Sequence, residues 1–135
     1  MRCLLLHCNK FSYKFHHATP VAEPSDEQES TFQDAMVVFV AAEKSDVDET
    51  VEKAATEILN IAQKVEAKQI VINPFAHLTK SLASASKALE LTKALVSNLK
   101  EKSKLDIVYT SFGWYKSFTL DVYGHNGSQE FREFS

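Results

Sequence analysis

Apolar and polar positions along the chain alternate with two different periods, and the period changes mark the elements. Met1 to Cys8 is almost continuously apolar and reads as a buried strand. After Asn9-Lys10, the run Phe11 to His16 places Phe11, Tyr13 and Phe15 between polar residues, a half-exposed strand predicted to pair with the first as a hairpin. Residues 18–30, rich in Pro, Ser and acidic side chains, are expected to form a mobile loop. Ala35 to Ala42 is a continuous apolar run and predicts a central strand. From Ser45-Asp46 the spacing becomes helical: Val51, Ala54, Ala55, Ile58, Ala62 and Val65 form one stripe among Glu and Lys. A short strand follows over Gln69 to Ile72, expected to stop at Asn73-Pro74 because proline lacks a ladder donor. Ala88, Leu91, Leu95 and Leu99 stripe a second helix, Ser84 to Lys102. Leu105 to Thr110 and Trp114 to Tyr123 read as strands joined tightly at Phe112-Gly113, and the tail from His125 as irregular or a short edge element.

The expected order is strand-strand-strand-helix-strand-helix-strand-strand. Two amphipathic helices each need an apolar surface, and one face of a sheet supplies both. The fold class is α/β, a β-sheet with two amphipathic helices packed on one face. The other face is left for a second copy or a ligand.

Composition narrows the function without naming it. The 135 residues suit one domain, read as 1–135, and 44% hydrophobic with 24% charged residues can build a core. A net charge of −3 gives no bulk nucleic-acid signature. Cys3 and Cys8 fall on opposite faces of the first strand and should not pair, which suits a reducing cytoplasm. No run is long and apolar enough to cross a membrane, and no secretory leader is apparent. GxGxxG, P-loop, HExxH and paired CxxC motifs are absent, so no cofactor or metal is called for. His16 and His17 are adjacent, which sends two strand side chains to opposite faces.

The candidate chemistry lies near two strand ends. In SFGWYKSFTLDVYGH, period 2 sets Lys116 in line with Trp114, Phe118, Leu120 and Val122. A lysine there either lays its stem over apolar surface and reaches water, or binds something. His77, in IVINPFAHL, follows a strand and a proline, where loops commonly carry function, although periodicity alone favours a helix-capping or solvent-facing histidine. Tyr115 adds a phenol beside Lys116. His7 reads as a satisfied strand-end histidine and Glu43 as a solvated carboxylate or a ligand-orienting group. His125, Glu130 and the Phe131/Phe134 pair lie in the tail.

The stretches MRCLLLHC, VVFVAAEKSD, VINPFAHLTKSLA and SFGWYKSFTLDVYGH together resemble the N-terminal editing domain of archaeal-type threonyl-tRNA synthetases. The resemblance covers nearly the whole chain, and FAHL with FGWYK carries most of its specificity. It implies a D-aminoacyl-tRNA deacylase-like fold, built as a homodimer. It also implies hydrolysis of mischarged Ser-tRNA(Thr), with Thr-tRNA(Thr) spared and the terminal ribose hydroxyl helping to activate the attacking water. The implied partners are the 3′ aminoacylated end of tRNA(Thr) and the synthetase catalytic core, in cis or in trans. The family's functional histidine falls on His77, its lysine on Lys116 and the preceding tyrosine on Tyr115. Its pocket is expected around Ala42, Glu43, Ala76, Phe112 and Gly113, and its C-terminal glutamate on Glu130. Three positions depart from the family pattern: Ser111 replaces a proline, Asn9-Lys10 an acidic-aromatic pair, and HNGSQEFREFS an HPL-type tail. Two other readings stay open: a D-aminoacyl-tRNA deacylase, and a non-catalytic tRNA-binding or dimerisation module.

Overall fold

The computed structural model describes residues 1–135. Six strands form one mixed sheet: β1 (Arg2–Ala18), β2 (Glu29–Ala41), β3 (Gln69–Pro74), β4 (Asp106–Tyr109), β5 (Trp114–Val122) and β6 (Gln129–Glu133). Helix α1 (Asp48–Lys64) joins β2 to β3, and α2 (Ala85–Lys102) joins β3 to β4. The path is β4-β3-β2-β1-β5, with β6 also paired to β1; β2-β3 and β3-β4 are parallel, the rest antiparallel. Two parallel crossovers that step in the same direction place their helices on the same face, because such crossovers share one hand. Val51, Ala54, Ala55 and Ile58 of α1 and Leu91, Leu95 and Leu99 of α2 accordingly pack in one core with Met1, Cys3, Leu5, Met36, Val38, Ile70 and Ile72.

The order differs from expectation at the start. The two short strands expected over residues 1–8 and 11–16 are one 17-residue strand, and their hairpin does not exist. Its true partner is β2, in unbroken register from Arg2–Ala41 to Lys14–Glu29. The change of period at Asn9-Lys10 is a bulge: β1 carries an extra residue against β5 there, and another at His16. Asp34 adopts φ 51° between the Cys8–Ala35 and Lys10–Gln33 pairs. The face bearing Cys8 therefore continues as Phe11, Tyr13 and Phe15, and on β2 the face of Phe39, Val37 and Ala35 continues as Phe32. Cys3 and Cys8 lie in different cores and are both free thiols.

The bulge also lets the sheet fold over itself. Phe39 is paired with Leu4 and Phe118 with Tyr13, nine residues further along β1 and ~30 Å away on a straight strand. Yet the two rings lie 5.5 Å apart. The outer half of the β1-β2-β5 ribbon thus curls across the face opposite the helices. A second core fills the curl: Phe11, Tyr13, Phe15, Val37, Phe39 and Val71, with Phe75, Trp114 and Leu120 against it.

Three element ends also move. Helix α1 starts at Asp48 instead of Ser45-Asp46, because Asp46 is taken by the buried ammonium of Met1 and by the Glu43 N–H. Strand β3 runs through Pro74, whose missing donor is harmless at a strand end, and the Phe75 N–H then bonds Val40 O at 2.8 Å. The tail forms β6, the edge element, which ends where Phe134 N–H meets Met1 O. The segment before β2 is a loop as expected, but it is pinned. Glu23 accepts from the Tyr109 hydroxyl and from Phe112 N–H (2.8 Å), and ion-pairs with Lys93 of α2 at 3.1 Å.

Candidate functional site

Lys116 points into the curl. Its ammonium donates to Thr110 Oγ1 at 3.0 Å and lies 5.4 Å from the centre of the Phe15 ring. Thr110 is fully buried and its hydroxyl donates in turn to Asn73 Oδ1 at 2.7 Å, so the lysine is held by a chain anchored in β3. It forms no ion pair: Tyr109, Phe112 and Lys93 occupy the Glu23 carboxylate, and the Tyr13 hydroxyl donates to Glu27. An ammonium has three donors and here spends one. Burial pushes its pKa down to about 8, partly opposed by the charges of Glu27 and Glu23. The result is a poised cation with two uncommitted N–H groups in apolar surroundings. Such a group suits an incoming carbonyl oxygen or oxyanion.

His77 sits on a 3-10 turn, Ala76–Leu78, directly after β3, and is exposed. Its ring packs edge-on to Phe75 at 5.2 Å, and Phe75 touches Phe39 (5.2 Å) and Phe118 (6.5 Å). Phe118 lies two residues from Lys116 on the same face of β5, so an aromatic wall connects the histidine to the lysine. No side-chain hydrogen bond engages the His77 ring in the structure. Ala76 is exposed beside it, and Ala42 is buried at the end of β2, where its carbonyl accepts from Ala83 N–H at 3.0 Å.

Glu43 is a structural carboxylate here. It accepts from Thr79 Oγ1 (2.7 Å) and the Met1 ammonium (3.1 Å), with Arg2 Nε at 3.4 Å. The Thr79 hydrogen bond, then the Met1 and Arg2 charges, hold its pKa below the ordinary value against the opposing effect of burial. Phe112 and Gly113 spend their backbone on the loop: Phe112 O accepts from Glu23 N, and Gly113 O from Thr19 N and Thr19 Oγ1.

Two expected site residues stand apart from this cluster. Tyr115 is on the opposite face of β5 from Lys116, 58% exposed and packed on His17 at 4.6 Å, as period 2 requires. Glu130 is paired with Leu5, a residue of the helix-side core, and its carboxylate bonds Arg132 at 3.0 Å. It therefore lies on the other side of the sheet from Lys116. Sequence reading missed Thr110, Asn73 and Glu23. Asn73 and Thr110 were visible as polar residues at the ends of apolar strands, whereas Glu23 is one of several acids in its loop and acquires meaning only once the fold brings Tyr109 and Phe112 to it. His7, read as a satisfied histidine, is so: it is 4% exposed and bonded at 2.6 Å to Asp34 and 2.7 Å to His125. No cluster of three or more His, Cys, Asp or Glu side chains is arranged to hold a metal ion, and no helix is long and apolar enough to cross a membrane.

Comparison with known proteins bears directly on this arrangement. The family described as the archaea-specific editing domain of threonyl-tRNA synthetase matches residues 1–134. A threonine–tRNA ligase of Staphylothermus marinus is 44% identical over 128 residues, covering 93% of this chain and 21% of that protein. One from Methanosphaera stadtmanae is 38% identical over 130 residues, with the same coverages. The threonine–tRNA ligase editing subunit of Saccharolobus solfataricus is 34% identical over 127 residues, 93% of this chain and 32% of that one. The chain thus spans about a fifth to a third of the length of these relatives. Among solved structures, the c-Myc DNA unwinding element binding protein superposes with a TM-score of 0.79 over 98% of both chains at 13% identity. That likeness concerns the fold, which is D-aminoacyl-tRNA deacylase-like.

Proposed function

The chain belongs to the archaea-specific editing-domain family of threonyl-tRNA synthetase, and from that premise we propose that it hydrolyses mischarged Ser-tRNA(Thr) while sparing Thr-tRNA(Thr). The observation that carries the reading is the Lys116 ammonium, desolvated and free of carboxylate partners, with two donors to spare. In the proposed reaction, water adds to the ester carbonyl and its oxygen becomes an oxyanion beside Lys116. The tetrahedral adduct then collapses, the ribose oxygen leaves with a proton, and serine and tRNA are released. The terminal ribose hydroxyl of the RNA assists in activating the water, so the protein needs no strong base of its own. His77 and the backbone at Ala42 and Ala76 position the serine and the ribose.

Editing of this kind answers a physical limit. A single methyl group discriminates by only about 1–3 kcal/mol in one pocket. In the second pocket the methyl of threonine would displace the attacking water or spoil its line of approach. The aminoacylation core of the synthetase, in cis or in trans, supplies most of the affinity for tRNA, consistent with a chain of net charge −3. Association of two copies is part of the same proposal, through exposed apolar side chains such as Phe118 (39% exposed), and a solution mass of one chain would refute it.

Parallel assay of L-seryl and D-aminoacyl esters of the same tRNA tests the substrate. Faster loss of the L-seryl ester is expected. Selective loss of D-aminoacyl esters would instead make this a D-aminoacyl-tRNA deacylase. The Lys116→Met, His77→Ala double variant tests the site: unaltered hydrolysis of Ser-tRNA(Thr) would remove both residues from the mechanism.

A further inference from the structure

Next to His77 the surface dips into a second concavity, lined by Arg2, His77, Leu78, Thr79, Lys80 and Ser81. Its wall contains two cations, an imidazole and hydroxyls, and no carboxylate. Arg2 is fixed there. Its Nη1 donates to Leu78 O at 3.4 Å, its Nε lies 3.4 Å from Glu43 Oε2 and 4.0 Å from Glu133 Oε1, and Nη2 makes no contact within bonding range. Its buried Nε has no hydrogen-bond partner. Glu43 is itself tied to Thr79 and the Met1 ammonium, so the guanidinium is held from behind by a rigid carboxylate. Lys80 forms no ion pair. The Ser81 N–H is turned inward onto Thr79 Oγ1 (3.0 Å), while its hydroxyl is uncommitted.

The guanidinium of Arg2, backed by Glu43 and Glu133, joins the unpaired Lys80 ammonium and the Ser81 hydroxyl in one dip whose lining holds no acid, a set that matches a tetrahedral oxyanion such as a phosphodiester. Inorganic sulfate would meet the same donors, but the place beside His77 selects an anion that belongs to the substrate. We infer that this concavity holds the phosphodiester that joins the last two nucleotides of the tRNA 3′ end. The inference rests on the hydrolase reading above and extends it. His77 belongs to both sites, so it lies between the phosphate and the ribose that carries the ester. In this arrangement Arg2 sets the register of the terminal nucleotide, and Lys80 adds charge from the exposed side.

Binding, read apart from catalysis, is the test. The trinucleotide CCA and the nucleoside adenosine are titrated by NMR into the intact chain, into Lys80→Gln, and into Arg2→Gln and Arg2→Lys. The structure predicts that CCA binds more tightly than adenosine. It also predicts that Lys80→Gln weakens CCA about tenfold and makes its dependence on salt shallower by about 0.7 in log–log slope. Arg2→Gln should weaken CCA further and Arg2→Lys should restore part of the loss, with all variants keeping the native amide spectrum. Equal affinity of CCA for the intact chain and for Lys80→Gln and Arg2→Gln would overturn the inference. So would equal weakening of adenosine and CCA, which would place these residues at the nucleoside. Hydrolysis of 3′-seryl-adenosine, which has no phosphate, reports separately on the hydrolase reading. If the intact chain leaves that ester uncleaved while CCA binds as described, the hydrolase reading fails and the phosphate site stands.

Discussion

Replacing Lys116 by methionine is expected to abolish most hydrolysis and to make the protein more stable. The first effect follows from the proposed role: losing one preorganised donor to an oxyanion costs about 10²–10³ in kcat. The second follows from the depressed pKa. The lysine titrates at about 8 in the fold and at 10.5 in an open chain. Below pH 8 it is charged in both states, and the folded state bears the full cost of a poorly solvated ammonium. Between about 8 and 10.5 the unfolded chain binds more protons, so stability rises with pH across that window and levels above it. A gap of some 2.5 pH units corresponds to no more than roughly 3–4 kcal/mol. Methionine fills similar space without the charge, so at pH 7 the variant should melt several degrees higher, and the pH 8–10 rise should vanish. The same titration sets the sign for activity. If the ammonium is the active form, kcat, corrected for spontaneous ester loss, falls as pH rises through 8. A kcat that rises through that range would mean that neutral Lys116 is a base, and a less stable variant would mean the ammonium is not strained.

Gly113→Ala is expected to be the most damaging of the glycine-to-alanine substitutions in the chain. Gly113 has φ +84°, a region that glycine alone enters freely. A Cβ at that position would lie 2.5 Å from Ala22 Cα and 2.8 Å from both Ala22 N and Val21 O. All three are backbone atoms of the loop that closes the curl, so no rotamer change relieves the clash. Either the Thr19–Gly113 and Glu23–Phe112 bonds break or the turn rebuilds. A loss of roughly 3 kcal/mol or more is expected, combining backbone strain with the release of a buried hydrogen-bonded segment. Chemical denaturation measures it. Gly124→Ala is the control, since nothing lies within 4 Å of a Cβ there. A change under about 0.5 kcal/mol at Gly113 would show that the loop does not clamp the turn.

The helices, the central strands and the helix-bearing face were legible in the sequence because each repeats its period over many residues. Val51 to Ala62 and Ala88 to Leu99 leave no alternative to amphipathic helices on a sheet. The curl was not legible. Its cause is an unpaired residue at Asn9 and a positive φ at Asp34, and a bulge interrupts period 2 in the same way as a turn. Reading that break as a hairpin split β1 in two and hid the fold-over that carries Lys116 to Thr110. Lys116 and His77 could still be found, one as a cation in an apolar line and the other within FAHL. Tyr115 was singled out as the neighbour of Lys116 and Glu130 through the resemblance, and within one chain strand alternation turns each to a face other than that of Lys116. Asp46, read as part of the opening of the first helix, is taken by an ammonium 45 residues away in sequence, a partner that no local pattern announces.

Deacylation of Ser-tRNA(Thr) and Thr-tRNA(Thr), side by side with this chain at micromolar concentration, tests the central claim most directly. The account predicts that serine is lost at least about tenfold faster than threonine, which persists near its protein-free lifetime. Equal loss of the two esters, or survival of both at the protein-free rate, would contradict it.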